Sequence, residues 1–206
     1  FLIAAIFGMG DMEIRNQRAM ALKDDGAWHA AFRGVTKEQS AMIGAYPEVK
    51  RSSRYAVTNY KLDKDYTIEG KKAAVCGFDE DFPELFPIAR IVEGHFPTEA
   101  DEAVVTDNLQ KQTEISVGDY LTLETPKGGE LRYRVTGISE TTSMMAEYDA
   151  IGLFLNSESY EQSFMGDTEQ KDLECLVEFK PLCNIQKSIK KISSEMGIPA
   201  DKVGQN

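Results

Sequence analysis

Few side chains in this sequence could support metal chemistry. His95 is followed by Glu99, Asp101 and Glu102, and these side chains together could form a site for a hard cation. The same run also contains Pro and Thr, and it is more simply explained as a solvated turn. Neither His95 nor His29 has a second His or Cys at the close spacing that zinc sites use. We therefore predict no metal site, and the cluster at His95 is the alternative.

Nucleotide binding and nucleophilic catalysis are not indicated either. The phosphate-binding loop motif is absent from the sequence, and Gly8-Met9-Gly10 is too short to replace it. No Gly-x-Ser-x-Gly motif occurs, and two histidines leave few options for a catalytic triad. The acidic run Asp79-Glu80-Asp81 lacks the central glycine of a calcium loop. We predict that the chain is not an enzyme and binds no cofactor.

The sulfur-containing side chains are candidates for packing or contact. We predict that the three cysteines are buried or half-buried thiols, with a disulfide between Cys175 and Cys183 as the alternative. Met144 and Met145 follow a Thr-Thr-Ser run without helical or strand periodicity, so a loop that offers them as a contact surface is one hypothesis and core packing the other. The same two interpretations, core or contact, apply to Phe82, Leu85, Phe86 and Phe96.

The charge of the chain is unevenly distributed. The formal net charge is -11, which argues against nucleic acid as a partner because phosphate binding needs clustered Lys and Arg. Residues 61–169 contain 9 Lys/Arg and 23 Asp/Glu, whereas residues 1–60 contain 8 and 6, and residues 170–206 contain 6 and 5. The acidic middle of the chain is therefore predicted to be a separate part of the molecule.

The first residues are predicted to belong to a membrane anchor. Phe1 to Phe7 form an apolar run that is too short to cross a bilayer and has no basic flank, so it is not a signal peptide. We interpret it as the outer end of a transmembrane helix, with a buried first strand as the alternative. Residues 10–24 then predict a stalk helix that ends before Gly26. The first predicted domain is accordingly residues 1–26.

The two ends of the remaining chain follow the same pattern, strand, helix, strand. Alternation from Trp28 to Arg33 predicts a strand with one buried face, Thr36 to Gln39 form a capping box, and a second strand covers Val49 to Leu62. Leu173 to Phe179 predict another strand. A helix capped by Asn184 and a last strand from Lys202 follow, and the apolar stripe of this helix is Ile185, Ile189, Ile192 and Met196. We predict an α+β fold in which these two units share a sheet with both helices on one face, in the ferredoxin-like manner.

The middle of the chain is predicted to be an inserted, mainly β subdomain. The predicted domains are residues 27–61 together with 170–206, and the insert 62–169, so residues near 62 and 170 should lie close together. The insert has three short helices, at Phe82–Phe86, Asp107–Gln112 and Ser157–Phe164, and its strands are Thr67–Ile68, Ala73–Phe78, Ala103–Thr106, Tyr120–Thr125, Leu131–Ile138 and Ala150–Leu155. The Pro126-Lys127-Gly128-Gly129 stretch predicts a hairpin turn, because Pro fixes one backbone dihedral and Gly permits a positive φ.

One segment of the insert carries a family resemblance. A Gly-x-x-Pro turn at Gly94 and Pro97 precedes a strand that contains Glu102, and Gly118-Asp119 and then Gly137 follow later in the segment. In this order the motifs resemble those of the extracytoplasmic domain of ABC-transporter permeases of the MacB/FtsX type. These residues are fold landmarks, because glycine allows tight turns and Asp119 can cap its own turn.

The resemblance implies a fold, a location and a set of partners. The fold would be a porter-like subdomain of two β-α-β units with an inserted Sabre-like subdomain, on the extracytoplasmic side of the cell membrane. The partners would be a separate cytoplasmic ATP-binding subunit, a second permease copy or paralogue, and a peptide, lipoprotein or extracellular protein. The domain would be noncatalytic and would couple ATP hydrolysis to the handling of a substrate or partner. The alternatives are a secreted or membrane-anchored ligand-binding module and a soluble hydrolase.

Overall fold

The computed structural model describes residues 26–86, 90–168 and 173–206, which form a mixed α/β domain. The strands are β1 (Ala30–Arg33), β2 (Val49–Thr58), β3 (Thr67–Ile68), β4 (Lys71–Phe78), β5 (Ile91–Gly94), β6 (Glu102–Thr106), β7 (Tyr120–Glu124), β8 (Glu130–Ser139), β9 (Ile151–Asn156), β10 (Leu173–Phe179) and β11 (Val203–Gln205). The helices are α1 (Lys37–Gly44), α2 (Phe82–Leu85), α3 (Asp107–Thr113), α4 (Ser143–Glu147), α5 (Ser157–Phe164) and α6 (Ile185–Met196). Short 3-10 turns cover Met165–Asp167 and Ala200–Lys202.

The elements from the two ends of the chain form one half of the sheet, in the order β11-β1-β10-β2. Helices α1 and α6 pack on the same face, because Ile43, Ile189 and Ile192 share a core cluster with Phe32 and Val177. Both helices begin at the predicted caps. The Thr36 hydroxyl and the Gln39 side chain each accept a backbone N–H, and the Asn184 side chain accepts the N–H of Lys187.

The opposite face of this half-sheet is also covered, which corrects the expectation of one buried face for the first strand. Ala31 is as buried as Ala30 and Phe32, because Ala31 and Leu176 pack against α2 in a second core cluster. Trp28 lies before the strand and packs against this second cluster, so it does not share a face with Ala30 and Phe32.

The strands of the middle segment close into a small barrel. Around it the order is β4-β3-β7-β8-β6-β9, and the parallel pairing of β9 with β4 closes the ring. Its interior is apolar, and residues such as Val75, Val105, Leu123, Val135 and Leu153 are buried there in one core cluster. The predicted hairpin is confirmed, since Leu121 lies opposite Tyr133 and Leu123 opposite Leu131.

The barrel and the half-sheet are continuous. Strand β2 pairs with β10 on one side and, through Tyr55–Thr58, with β4 on the other, so one sheet of eleven strands runs through the described residues. Where the chain crosses between the two parts, the hydroxyls of Thr58 and Thr168 are 3.1 Å apart. The head and tail of the described chain also meet: Asn206 Nδ2 donates to the carbonyl oxygens of Gly26 and Trp28, each at 3.2 Å.

A few elements differ from the sequence-based expectations. β2 ends at Thr58 rather than Leu62, because Asn59 adopts a φ of 63°. The Asn59 side chain donates a hydrogen bond to the Ala73 carbonyl oxygen and accepts one from the backbone N–H of Lys64 across a turn. Strand β5 and helix α4 were not predicted. The predicted anchor and stalk, residues 1–25, lie outside the described residues. Among the residues that are described, no helix has the length and apolar character needed to cross a bilayer.

Candidate binding groove and the landmark residues

Gly94 and Gly137 lie opposite each other where β5 pairs with β8. A Cβ at Gly137 would lie 2.8 Å from the carbonyl oxygen of His95 and 3.0 Å from that of Glu93. Gly94 has a φ of 77°, and a Cβ there would overlap the carbonyl oxygen of Thr136. Only glycine allows the two backbones to come this close, so both residues have a structural role.

Glu102 holds the next turn together. Its side chain is almost fully buried, and one carboxylate oxygen accepts the N–H of Thr98 at 2.9 Å, the N–H of Glu99 at 3.1 Å and the Thr98 hydroxyl at 3.2 Å. The other oxygen pairs with Arg134. Burial alone would raise the pKa of this carboxyl, but the hydrogen bonds and Arg134 outweigh burial, and the pKa is lowered.

The other landmark residues also shape turns. Asp119 accepts the N–H of Ser116 at 2.9 Å through its side chain, as expected of an aspartate that caps its own turn. Gly118 has a φ of 101°, which glycine tolerates. Pro97 is buried in the turn that leads to β6.

The alternative metal site is not assembled in the described residues. The His95 ring nitrogen Nδ1 lies 2.9 Å from the carbonyl oxygen of Phe96, and the Glu102 carboxylate is occupied by the turn. Within the described ranges, no group of three or more His, Cys, Asp or Glu side chains could hold a metal ion.

The sulfur-containing residues are located as follows. Met145 is only 4% exposed and packs with Ala74 and Ala150, so the hypothesis that it offers a contact surface is wrong: helix α4 turns its side chain inward. The side chain of Met144 lies outside what the structure describes. Cys76 and Cys175 are buried free thiols, and Cys183 is a half-buried one, so the alternative disulfide is not formed.

A concavity lies on the sheet face opposite α1 and α6. It has a volume of about 340 Å³, and the residues that line it are Trp28, Ala31, Arg33, Tyr55, Val57, Tyr60, Phe86, Glu174 and Leu176. They come from β1, β2 and β10 and from the segments that flank β1, β2 and α2. We call this concavity the aromatic groove.

Of the four residues for which core packing and contact were both open, Phe82 and Leu85 are core, and Phe86 and Phe96 are half-buried.

Charged groups border one side of the aromatic groove. Arg33 Nε donates to one oxygen of Glu174 at 2.8 Å, and the Tyr55 hydroxyl donates to the other at 3.1 Å. Burial, followed by the negative charge of Glu174, raises the pKa of Tyr55, so the phenol stays protonated and remains a donor.

Sequence reasoning did not find the aromatic groove, although part of its signal was present. Tyr55, Val57 and Leu176 alternate with core residues and were visible as a second apolar face of β2 and β10. No local pattern predicts that Phe86, which comes from the middle of the chain, lies at the same groove.

The fold is found in known proteins, although the sequence gives no match: no family model and no curated protein matches the chain. The periplasmic region of MacB from Actinobacillus actinomycetemcomitans superposes with a TM-score of 0.62 at 12% identity, over 89% of this chain and 90% of that one. The extracellular domain of the noncanonic ABC-type transporter YknZ from Gram-positive bacteria gives 0.59 at 11% identity, over 86% and 98%. A domain assigned to a permease from Porphyromonas gingivalis gives 0.53 at 11% identity, over 80% and 71%.

These three similarities cover between 80% and 89% of this chain. The chain therefore has the fold of the periplasmic region of MacB and of the extracellular domain of YknZ, which confirms at the level of the fold the resemblance seen in the sequence.

Proposed function

We propose that this chain is the noncatalytic extracytoplasmic domain of an ABC-transporter permease. The observation that carries the proposal is the MacB similarity, which covers 89% of this chain and 90% of the other, so the whole fold is shared and not one motif. In this proposal the half-sheet with α1 and α6 is the porter-like, ferredoxin-like subdomain, and the barrel is the Sabre-like insert.

The position of the chain ends supports an attachment at one end of the domain. Asn206 hydrogen-bonds to Gly26 and Trp28, so both ends of the described chain leave from the same place. Two membrane helices could continue from these ends side by side. The acidic segment 61–169 forms the barrel, which would then project away from an anionic lipid surface.

The partners follow from this role. A separate cytoplasmic ATP-binding subunit would hydrolyse ATP, and a second permease copy or paralogue would complete the transporter in the cell membrane. The domain would couple hydrolysis to the export or release of a peptide, antibiotic or lipoprotein. The aromatic groove favours the second candidate, a secreted or membrane-anchored ligand-binding module without a transport role, because that function needs only a binding site.

The location is tested by labelling in intact cells. Lys127 lies in the β7–β8 turn with a side chain 82% exposed, so a Lys127→Cys variant of the full-length protein, made in a Cys183→Ser background, offers one accessible thiol. A membrane-impermeant maleimide should label it from outside. The background variant is the control, since its two remaining thiols are buried. Labelling that requires cell lysis would contradict an extracytoplasmic location.

The transport role is tested by purifying the full-length protein from its native host. We expect an ATP-binding subunit to copurify and to hydrolyse ATP in proteoliposomes. Because Gly26 and Asn206 are in contact, residues 26–206 can be replaced by a short Gly/Ser linker without moving the flanking segments. That variant should keep the subunit and lose substrate release. Purification of a protein with no ATP-binding subunit would favour the ligand-binding module.

A further inference from the structure

One of the residues that line the aromatic groove is small. Ala31 on β1 is almost fully buried and lines the groove. A larger side chain at this position would take up part of the space. The volume of about 340 Å³ is at the lower end of the range for small-ligand pockets.

The walls of the groove are aromatic. Trp28, Tyr55 and Phe86 are half-buried, and Tyr60 is 56% exposed. Aromatic walls favour a planar apolar group, because rings pack in offset or edge-to-face pairs. A long acyl chain would need an elongated enclosed channel, which this short open groove does not provide.

Arg33 supplies a charge that is only partly used. Its Nε donates to Glu174, but among the described residues its two terminal nitrogens donate to no protein group. Both oxygens of Glu174 are already occupied, by Arg33 and Tyr55. Arg33 lines the groove and its side chain is 47% exposed, so its terminal N–H donors are open to a ligand in the fork geometry that suits a carboxylate.

We propose that the aromatic groove binds the C-terminal residue of a peptide, with an aromatic side chain between Trp28 and Tyr55 and the terminal carboxylate on Arg33. A C-terminal residue brings both groups together within the small space that the walls and Arg33 share. The site requires only this fold, so the proposal does not rest on a transport role.

The test uses the fluorescence of Trp28, which is the only tryptophan in the 206 residues. The probes are the peptide Ac-Ala-Ala-Phe with a free C-terminal carboxylate and the same peptide as a C-terminal amide. We expect the acid to change the Trp28 emission saturably and to bind about tenfold or more tightly than the amide, the gain typical of a charge-assisted hydrogen bond. Decanoate is titrated in parallel as an acyl carboxylate.

Variants of the lining residues locate the effect. Arg33→Gln should remove the preference for acid over amide, and Ala31→Leu should weaken both peptides about tenfold or more by placing a larger side chain in the groove. Arg132→Gln is the matched control, since Arg132 stacks on Tyr120 away from the groove. Circular dichroism checks that each variant is folded, and Arg33→Lys should retain part of the preference if Arg33→Gln does not fold.

Some outcomes would overturn the proposal. It is wrong if Trp28 emission does not respond to the acid, or if acid and amide bind equally to the unmodified chain. It is also wrong if Ala31→Leu, folded, binds as well as the parent. Tighter binding of decanoate than of the peptide would reject a peptide ligand in favour of an acyl carboxylate.

Discussion

Replacing Glu102 with Gln tests whether the landmark glutamate is a structural residue. The substitution keeps the shape of the side chain and removes its charge. One oxygen of Glu102 accepts two N–H groups and one hydroxyl from Thr98 and Glu99, and the other pairs with Arg134. In the variant the side-chain oxygen keeps the turn, but its hydrogen bonds become neutral. The new amide N–H₂ group then faces the Arg134 guanidinium, which is itself a donor.

The expected cost follows from the contacts. Hydrogen bonds to a charged group contribute about 1.5–3 kcal/mol and neutral ones about 0.5–1.5 kcal/mol, so weakening the bonds to the turn costs about 2 kcal/mol after allowance for non-additivity. Arg134 is half exposed and can be rehydrated, so its loss adds at most about 1 kcal/mol. We expect Glu102→Gln to lower the free energy of unfolding by about 2–3 kcal/mol.

The pH dependence gives a second readout. The pKa of Glu102 is lowered from its ordinary value of 4.5 in the folded chain, so its charge stabilises the fold above that pH. This contribution is lost as the pH falls through the lowered pKa. The difference in unfolding free energy between the parent and Glu102→Gln should therefore be complete near neutral pH and should shrink below 4.5.

Urea denaturation at neutral and acidic pH measures both quantities. Asp101→Asn is the matched control, because Asp101 is exposed on the same turn, and its substitution should change stability by less than about 0.5 kcal/mol. A cost for Glu102→Gln as small as that of the control, or a difference that does not change with pH, would refute a structural role for the buried charge.

Three further predictions concern stability and reactivity. Gly94→Ala should destabilise the fold by about 2–4 kcal/mol in urea denaturation, because the new Cβ meets the Thr136 carbonyl oxygen at a left-handed φ. Gly128→Ala, which has the same φ sign but open space, should cost only about 1 kcal/mol, and equal costs would contradict the clash. Asn184→Ala should lower the melting temperature through a loss of about 1 kcal/mol, since it removes a helix cap. Ellman's reagent should react readily only with Cys183 in the native chain, because burial raises the pKa values of the other two thiols; rapid reaction of all three would contradict their burial.

The sequence predicted the elements that local chemistry decides. The capping box at Thr36 and the cap at Asn184 predicted where two helices begin, because each cap lies within a few residues of the helix that it starts. The hairpin around Gly128 was predicted for the same reason. Strand β5 was missed because it is short, mostly exposed and defined by its pairing with β8.

The closure of the barrel could not be predicted from local patterns. It depends on parallel pairing of Ala73–Phe78 with Ile151–Asn156, segments that are distant in the chain. Both segments are largely apolar runs, which is typical of strands covered on both faces. This pattern indicates that the strands are buried, but it does not identify the strand with which each one pairs. The aromatic groove was missed for a related reason, since its walls come from β2, β10 and the segment after α2.

The junction between the half-sheet and the barrel determines how the domain can move. At the junction Arg54 is buried, and its backbone N–H donates to the Asp79 carboxylate at 2.9 Å. The Arg54 guanidinium pairs with the carboxylate of Glu161 on α5. Glu161 also pairs with Lys37 on α1, 3.2 Å away. Bending here would break the β2–β4 ladder and leave a buried charge without its partner, which is costly. We therefore expect the two parts to move as one body, so that a displacement applied at the chain ends reaches the barrel without an intervening hinge.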